Sequence, residues 1–239
     1  MSLPHMHLAP PVSSAASAVA ERVAEARAHI ADAVQRGGHA QQVTLVAVTK
    51  THGPEVVADA WAAGVHDVGE NRIQEALGKM AAVEVPVRWH LIGHLQRNKV
   101  RQVDGFSLVH SCDSPRLADA LNEHGLARHR PVDVLLQLNV SGEASKGGYD
   151  PDLLRPEAER LTALSGIVVR GVMTIAPLEA DERALRAIFA EARAARAVLA
   201  EVGHPATELS MGMSGDYAIA VEEGATLVRL GSALFGARS

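Results

Sequence analysis

The chain has 239 residues, 47% of them hydrophobic, a formal net charge of −5 and a sequence pI of about 6.2. That length fits one large domain or two small ones and buries roughly 70–75% of the unfolded surface, so a core needs no staples. The mild acidity excludes a general electrostatic pull toward nucleic acid or anionic membranes; the single cysteine, Cys112, excludes an internal disulfide and suits a reducing compartment; and no apolar run approaches a membrane span.

Residues 1–12 read as a flexible tail without the basic-then-apolar pattern of a secretory signal, so a cytoplasmic address is expected. From Ser13 to Arg36 the apolar residues Val19, Val23, Ala26, Ile30 and Val34 recur on one helical face, and Gly37-Gly38 closes that helix. Val43–Lys50 is a β-branched and aliphatic run that ends in a lysine, followed by the break Thr51-His52-Gly53-Pro54. A strand apolar on both faces belongs in a parallel sheet covered by helices, and Lys50 then emerges at its carboxyl end, where α/β folds place their chemistry. Partial desolvation there favours a neutral amine able to form a Schiff base with a carbonyl compound. Taken alone, Lys50 is better explained by snorkelling to water, and the rest of the chain reverses that preference.

Further on, helix and strand alternate: helix Pro54–Ala63, strand Val65–Gly69, helix Arg72–Ala82, strand Val87–Ile92, helix Gln96–Val103, strand Phe106–His110. A helix capped by Ser114-Pro115 precedes strand Val132–Val140, then helix Pro151–Leu164, strand Ile167–Thr174 and the long helix Asp181–Val202. Thr207–Ser210, helix Asp216–Glu223 and strand Thr226–Leu230 complete the series, with a tail after the last strand. Eight strands alternating with helices predict an α/β fold, a single (β/α)8 TIM-type barrel over residues 13–239, with the N-terminal helix standing in for a missing last one. An open doubly wound sheet is the competing architecture, weakened by the absence of Gly-x-Gly-x-x-Gly after the first strand.

A barrel gathers its strand ends at one rim. Ser210-Met211-Gly212-Met213-Ser214 and Arg229-Leu230-Gly231-Ser232 follow strands seven and eight, the recurrent phosphate cradle of this architecture. Small residues admit a ligand to the backbone, and serine hydroxyls donate to it. A Schiff-base lysine facing a phosphate cradle describes a pyridoxal 5′-phosphate site. An arginine at the ring nitrogen, here Arg229, holds the ring unprotonated because it cannot give up its own proton. A structural ion pair between Arg229 and Glu70 is the plain alternative.

Ala47-Val48-Thr49-Lys50, Gly69-Glu70-Asn71-Arg72-Ile73-Gln74-Glu75 and Trp89-His90-Leu91-Ile92-Gly93-His94-Leu95-Gln96-Arg97-Asn98-Lys99 resemble motifs of the pyridoxal phosphate homeostasis proteins. So do Asn139-Val140-Ser141-Gly142-Glu143-Ala144-Ser145-Lys146-Gly147, Leu209-Ser210-Met211-Gly212-Met213-Ser214 and Thr226-Leu227-Val228-Arg229-Leu230-Gly231-Ser232-Ala233-Leu234-Phe235-Gly236. The fold of that family is similar to the barrel half of alanine racemase. The resemblance implies that Lys50 carries the Schiff base, Arg229 faces the pyridine nitrogen, and Asn71 lies near the ring. Ser210, Met211, Ser214, Gly231 and Ser232 are its candidates for the phosphate shell. It also implies a carrier or buffer of the cofactor, possible donor to pyridoxal phosphate-dependent apoenzymes, without turnover. Cys112 departs from the aliphatic residue expected at its position.

The residues agree with the lack of turnover, because racemisation needs two positioned bases and only Tyr149 and Tyr217 are available as tyrosines. A racemase-like enzyme and a class I Schiff-base aldolase remain the alternatives, the latter disfavoured because its lysine sits on a later strand. The twelve histidines form no zinc-protease helix pattern, so no metal site is expected and satisfied core histidines account for several of them. Arg97, Lys99 and Arg101 make only a short basic stripe, giving no nucleic-acid surface. Lys146, flanked by small residues, is a candidate for handling phosphate on entry or exit, and the chain is expected to be monomeric.

Overall fold

Short strands rich in Val, Leu and Ile, each followed by a helix, form a parallel sheet here that closes on itself. The computed structural model describes residues 14–140 and 147–236. The strands are β1 Thr44–Val48, β2 Asp67–Glu70, β3 Arg88–Leu91, β4 Leu108–Cys112, β5 Val132–Gln137, β6 Ile167–Met173, β7 Glu208–Ser210 and β8 Leu227–Leu230. They form a closed eight-stranded parallel barrel in sequence order, with β8 returning to β1. The expected (β/α)8 architecture is present, with the leading helix α1 Ser14–Gly37.

The helices between strands are α2 Glu55–Ala62, α3 Ile73–Ala82, α4 Pro115–Ala127, α5 Leu154–Leu161, α6 Glu182–Glu201 and α7 Tyr217–Glu222. One local expectation is refined and one corrected. The helix expected over Gln96–Val103 is present as a 3-10 helix, Arg97–Gly105. Its buried residues are Val100 and Val103, three apart, and the threefold 3-10 repeat sets such a pair on one edge. After β8 the chain forms a short helix, α8 Ser232–Phe235, rather than a plain tail. α1 packs against α7, α2 and α8, so it fills the gap that this single turn leaves in the helical ring.

Alternation along the strands divides the core in two. The larger part lies between sheet and helices and includes Ala47, Val68, Leu136, Phe189, Leu209 and Val228. A smaller cluster inside the barrel consists of Val46, Leu108, Leu135, Met173 and Leu227. Each fully buried side chain of this size contributes about 1.5–3 kcal/mol relative to exposure. The rest of the interior is polar: His90, His110, Ser210 and Arg229 are all buried. A core that admits such groups must satisfy their hydrogen bonds, and this requirement organises the site.

Candidate functional site

β1 ends at Val48, two residues earlier than the apolar run suggested, and Thr49-Lys50 turns out of the sheet. Thr51 takes a left-handed conformation with φ 70°, a strain for a β-branched residue that neighbouring bonds must hold. The turn is held from below by Lys79 of α3. Its Nζ donates to the Thr49 carbonyl at 2.7 Å and lies 2.6 Å from Glu70 Oε1 and 3.0 Å from Glu75 Oε1. Thr49 Oγ1 donates to Glu70 Oε1 at 2.5 Å, and the Thr51 amide donates to Glu75 Oε1 at 2.6 Å. Two carboxylates and one ammonium therefore fix the backbone on both sides of Lys50, whose own side chain is partly exposed. Burial pushes the Glu70 carboxyl up, and the bonds from Lys79 and Thr49 only partly offset it.

β1 pairs with β2 so that Val48 lies opposite Gly69, which carries Asn71 to the rim beside Lys50. A Cβ on Gly93 would lie 2.3 Å from the Asn71 carbonyl, so glycine lets the loops after β2 and β3 touch. On the other side of β1, Val46 pairs with Arg229 of β8. The ends of β8, β1 and β2 thus set Gly231-Ser232, Lys50 and Asn71 along one arc of the mouth.

The loop after β7 completes that arc. Gly212 has φ 91°, and a Cβ there would lie 2.7 Å from the Ala220 side chain and 2.9 Å from the Tyr217 backbone; only glycine fits. The Met213 amide donates to Asp216 Oδ1 at 2.6 Å, which closes the turn before α7. Ser214 Oγ accepts from the amides of Gly231 at 3.3 Å and Ala233 at 3.1 Å, joining the loops after β7 and β8. Ser214, Gly231 and Ser232 reach solvent at the rim, whereas Ser210 and Met211 are wholly buried. Met211 belongs to the apolar layer outside the barrel. The Ser210 hydroxyl lies between Arg229 Nη1 at 2.6 Å and His110 Nδ1 at 2.9 Å.

Arg229 is the unusual group. It donates to Ser210 Oγ and, through Nη2, to the Thr174 carbonyl at 2.9 Å, which occupies two of its five donors. Among the described residues it makes no ion pair, so the plain reading as a partner of Glu70 is corrected: Glu70 pairs with Lys79. Burial lowers the guanidinium to about 10, with Asp216 offsetting part of the effect; it is still charged near neutrality. A buried cation without a carboxylate is costly to keep, and the donors it leaves open face a need for an electron-rich partner.

Sequence reasoning missed the Lys79–Glu70–Glu75 cluster and the linkage of Asp67, His90, His110 and Ser210 across the barrel interior. The histidines expected to be satisfied within the core include His90 and His110. Among the described residues no group of three or more His, Cys, Asp or Glu is arranged around a metal. Lys146 and the flexible-tail expectation for residues 1–12 lie outside the described residues.

The family of the alanine racemase N-terminal domain matches residues 23–239. A curated relative from Pseudomonas aeruginosa, a pyridoxal phosphate homeostasis protein, is 44% identical over 225 residues, covering 93% of this chain and 96% of that protein. PipY of Synechococcus elongatus has been solved without pyridoxal phosphate, at 39% identity and TM-score 0.82. It has also been solved with the cofactor bound, at 38% identity and TM-score 0.78, both structures covering 91% of this chain and all of that one. Alanine racemase from Corynebacterium glutamicum shares the fold at 19% identity and TM-score 0.70, with 93% of this chain and 61% of that one aligned.

Proposed function

The chain belongs to the pyridoxal phosphate homeostasis protein family, and from that premise we propose that its barrel mouth binds pyridoxal 5′-phosphate as a Schiff base on Lys50. The observation that carries this reading is Arg229, a buried guanidinium with two anchored donors and no carboxylate partner among the described residues. A neutral pyridine nitrogen is the complement such a group lacks. The donor set at the rim fits the rest of the molecule. Ser214 and Ser232 hydroxyls can donate to a phosphate and Gly231 lets it approach the backbone, the turn held by Lys79 presents Lys50 toward an aldehyde, and Asn71 flanks the ring. Ser210 and Met211 act here from beneath, holding Arg229 and the loop rather than touching the phosphate.

The chemistry the cofactor supplies when bound is reversible condensation of its aldehyde with an amine, releasing water. Holding it without turning over an amino acid is the reading that the placement of the two tyrosines supports. Racemisation needs a second base opposite the lysine. Tyr149 is buried and its hydroxyl is pushed far above the usual range by burial first, then by the charges of Cys112 and Glu157. The Tyr217 hydroxyl lies 3.1 Å from His29 Nδ1 on α1, outside the barrel. Neither tyrosine serves as that base.

The role that follows is a cytoplasmic, monomeric buffer or carrier of pyridoxal phosphate, able to pass it to apoenzymes. Absorbance titration of the purified chain with pyridoxal phosphate tests binding, and chiral separation of L-alanine incubated with the loaded protein tests turnover. Saturable binding with no D-alanine above the free-cofactor rate is expected. D-alanine formed by wild type and lost in Lys50→Ala would overturn the non-catalytic assignment.

A further inference from the structure

Five side chains from five strands join the floor of the barrel to its mouth. At the floor, Arg88 clamps Asp67 with two bonds, Nε to Oδ1 at 2.7 Å and Nη2 to Oδ2 at 2.6 Å. Asp67 Oδ1 lies 2.9 Å from His90 Nε2, and His90 Nδ1 lies 2.8 Å from His110 Nε2. His110 Nδ1 lies 2.9 Å from Ser210 Oγ, which accepts from Arg229 Nη1 at 2.6 Å. Asp67, His90, His110, Ser210 and Arg229 are all buried.

A proton inventory gives this chain one sense. Burial and then the hydrogen bonds of His90 and Arg88 act oppositely on Asp67, and the bonds win, holding its carboxyl down to about 2. An ionised Asp67 only accepts, so His90 Nε2 carries the proton it receives. Arg229 can only donate, so the Ser210 proton goes to His110 Nδ1, and His110 then donates from Nε2 to His90 Nδ1. Burial above all holds His110 well below the usual histidine range, so its ring stays neutral. Its Nδ1 is therefore bare and takes the Ser210 proton, leaving Ser210 Oγ to accept from Arg229. Every proton then has an acceptor. The reversed sense would make Ser210 Oγ accept twice and leave its own proton unmatched in a dry interior, which is unfavourable.

We propose that Asp67, His90, His110 and Ser210 are positioning residues that orient Arg229 at the mouth and convey the Asp67 charge to it. The inference rests on the reading of the mouth as the pyridoxal phosphate site. Each bond in a one-way chain polarises the next, so an accepting carboxylate at the floor makes Ser210 Oγ a stronger acceptor at the top. Ser210 and the Thr174 carbonyl anchor two different guanidinium nitrogens, which fixes its plane.

The test begins with the ligand-free full-length protein. Nitrogen-15 chemical shifts of its histidines are expected to show His90 and His110 as Nε2–H tautomers, and Asp67→Asn to introduce the Nδ1–H form. An Nδ1–H tautomer of His110 in wild type overturns the sense of the chain. Pyridoxal phosphate is then added. Ser210→Ala is expected to weaken its binding roughly tenfold, the loss of one bond to a charged group, and to shift the visible band of the bound form; Ser210→Thr restores both. Asp67→Asn shifts the band without emptying the site. Variants that melt earlier yet keep wild-type affinity and band position would reduce the chain to a structural role and overturn the inference. Failure of wild type to bind pyridoxal phosphate contradicts the reading of the mouth instead, and is distinguishable because the tautomers are read beforehand.

Discussion

Lys79 Nζ donates to the carbonyl of Thr49 at 2.7 Å, so the residue immediately before Lys50 is held by a second lysine from the following helix. The same ammonium neutralises Glu70, which is fully buried on β2. One side chain thus serves the core and the geometry of the mouth together.

Removing it should be severe. Lys79→Met leaves Glu70 buried without its cation, a change of the kind that costs about 3–5 kcal/mol. The denaturation midpoint is expected to fall accordingly, and a Glu70→Gln, Lys79→Met double variant to recover much of the loss. Because Glu70 is raised in the folded state, its effect on stability is most favourable below the ordinary carboxylate value and is lost as pH rises through the folded one. Urea midpoints of the Lys79→Met variant should therefore improve as the pH is lowered toward 5.

Asp67 has the opposite sign. Its carboxyl falls from 3.8 to about 2 on folding, which contributes about 2 kcal/mol above the unfolded value. That contribution disappears as pH drops through the window from about 4 to about 2. Wild type should show a steep acid limb there in a pH–stability curve, and Asp67→Asn a flatter one. Identical limbs would mean that the Arg88 and His90 bonds hold no ionised carboxylate.

Arg229 should separate stability from binding. Its buried charge has no carboxylate partner among the described residues, so replacing it with an apolar residue relieves a desolvation cost. Arg229→Met is expected to leave the melting temperature of the ligand-free chain within the change that about 1 kcal/mol produces, while affinity for pyridoxal phosphate falls at least tenfold. A large loss of stability with unchanged affinity would assign Arg229 to the core instead.

Gly212 tests the loop after β7. Gly212→Ala forces a side chain into a left-handed backbone and against Ala220 and Tyr217, a strain of about 1–3 kcal/mol. The loop is expected to shift, with weaker cofactor binding and a lower denaturation midpoint, whereas Gly215→Ala, with nothing within 4 Å of its added Cβ, should leave both near wild type.

The strands were legible because parallel strands buried on both faces are written as nearly continuous apolar runs, as in Val43–Val48. Lys50 was legible because it interrupts such a run at its end. The short α8 was not, since one turn carries too little periodicity to define a helix; residues 96–103 were legible as helical, but two valines could not mark the 3-10 form. Lys79 reads as an ordinary last-turn cation of α3, in keeping with the helix dipole. Its burial against Glu70, nine residues earlier, depends on how α3 packs over β2. Asp67, His90 and His110 meet through the pairing of neighbouring strands β2, β3 and β4, and His110 reaches Ser210 of β7 because the barrel closes; no spacing along the chain records that. Ser210 was placed with the phosphate loop by its neighbours in sequence, whereas its hydroxyl points inward to Arg229 and His110.

The central claim is that Lys50 holds pyridoxal 5′-phosphate at this mouth. Borohydride reduction of the loaded protein, followed by peptide mass spectrometry, tests it most directly. The account predicts a bleached visible band and a pyridoxyl mass on the peptide containing Lys50, absent in Lys50→Ala. A colourless protein, or a modification spread over surface lysines and unaffected by Lys50→Ala, would contradict it.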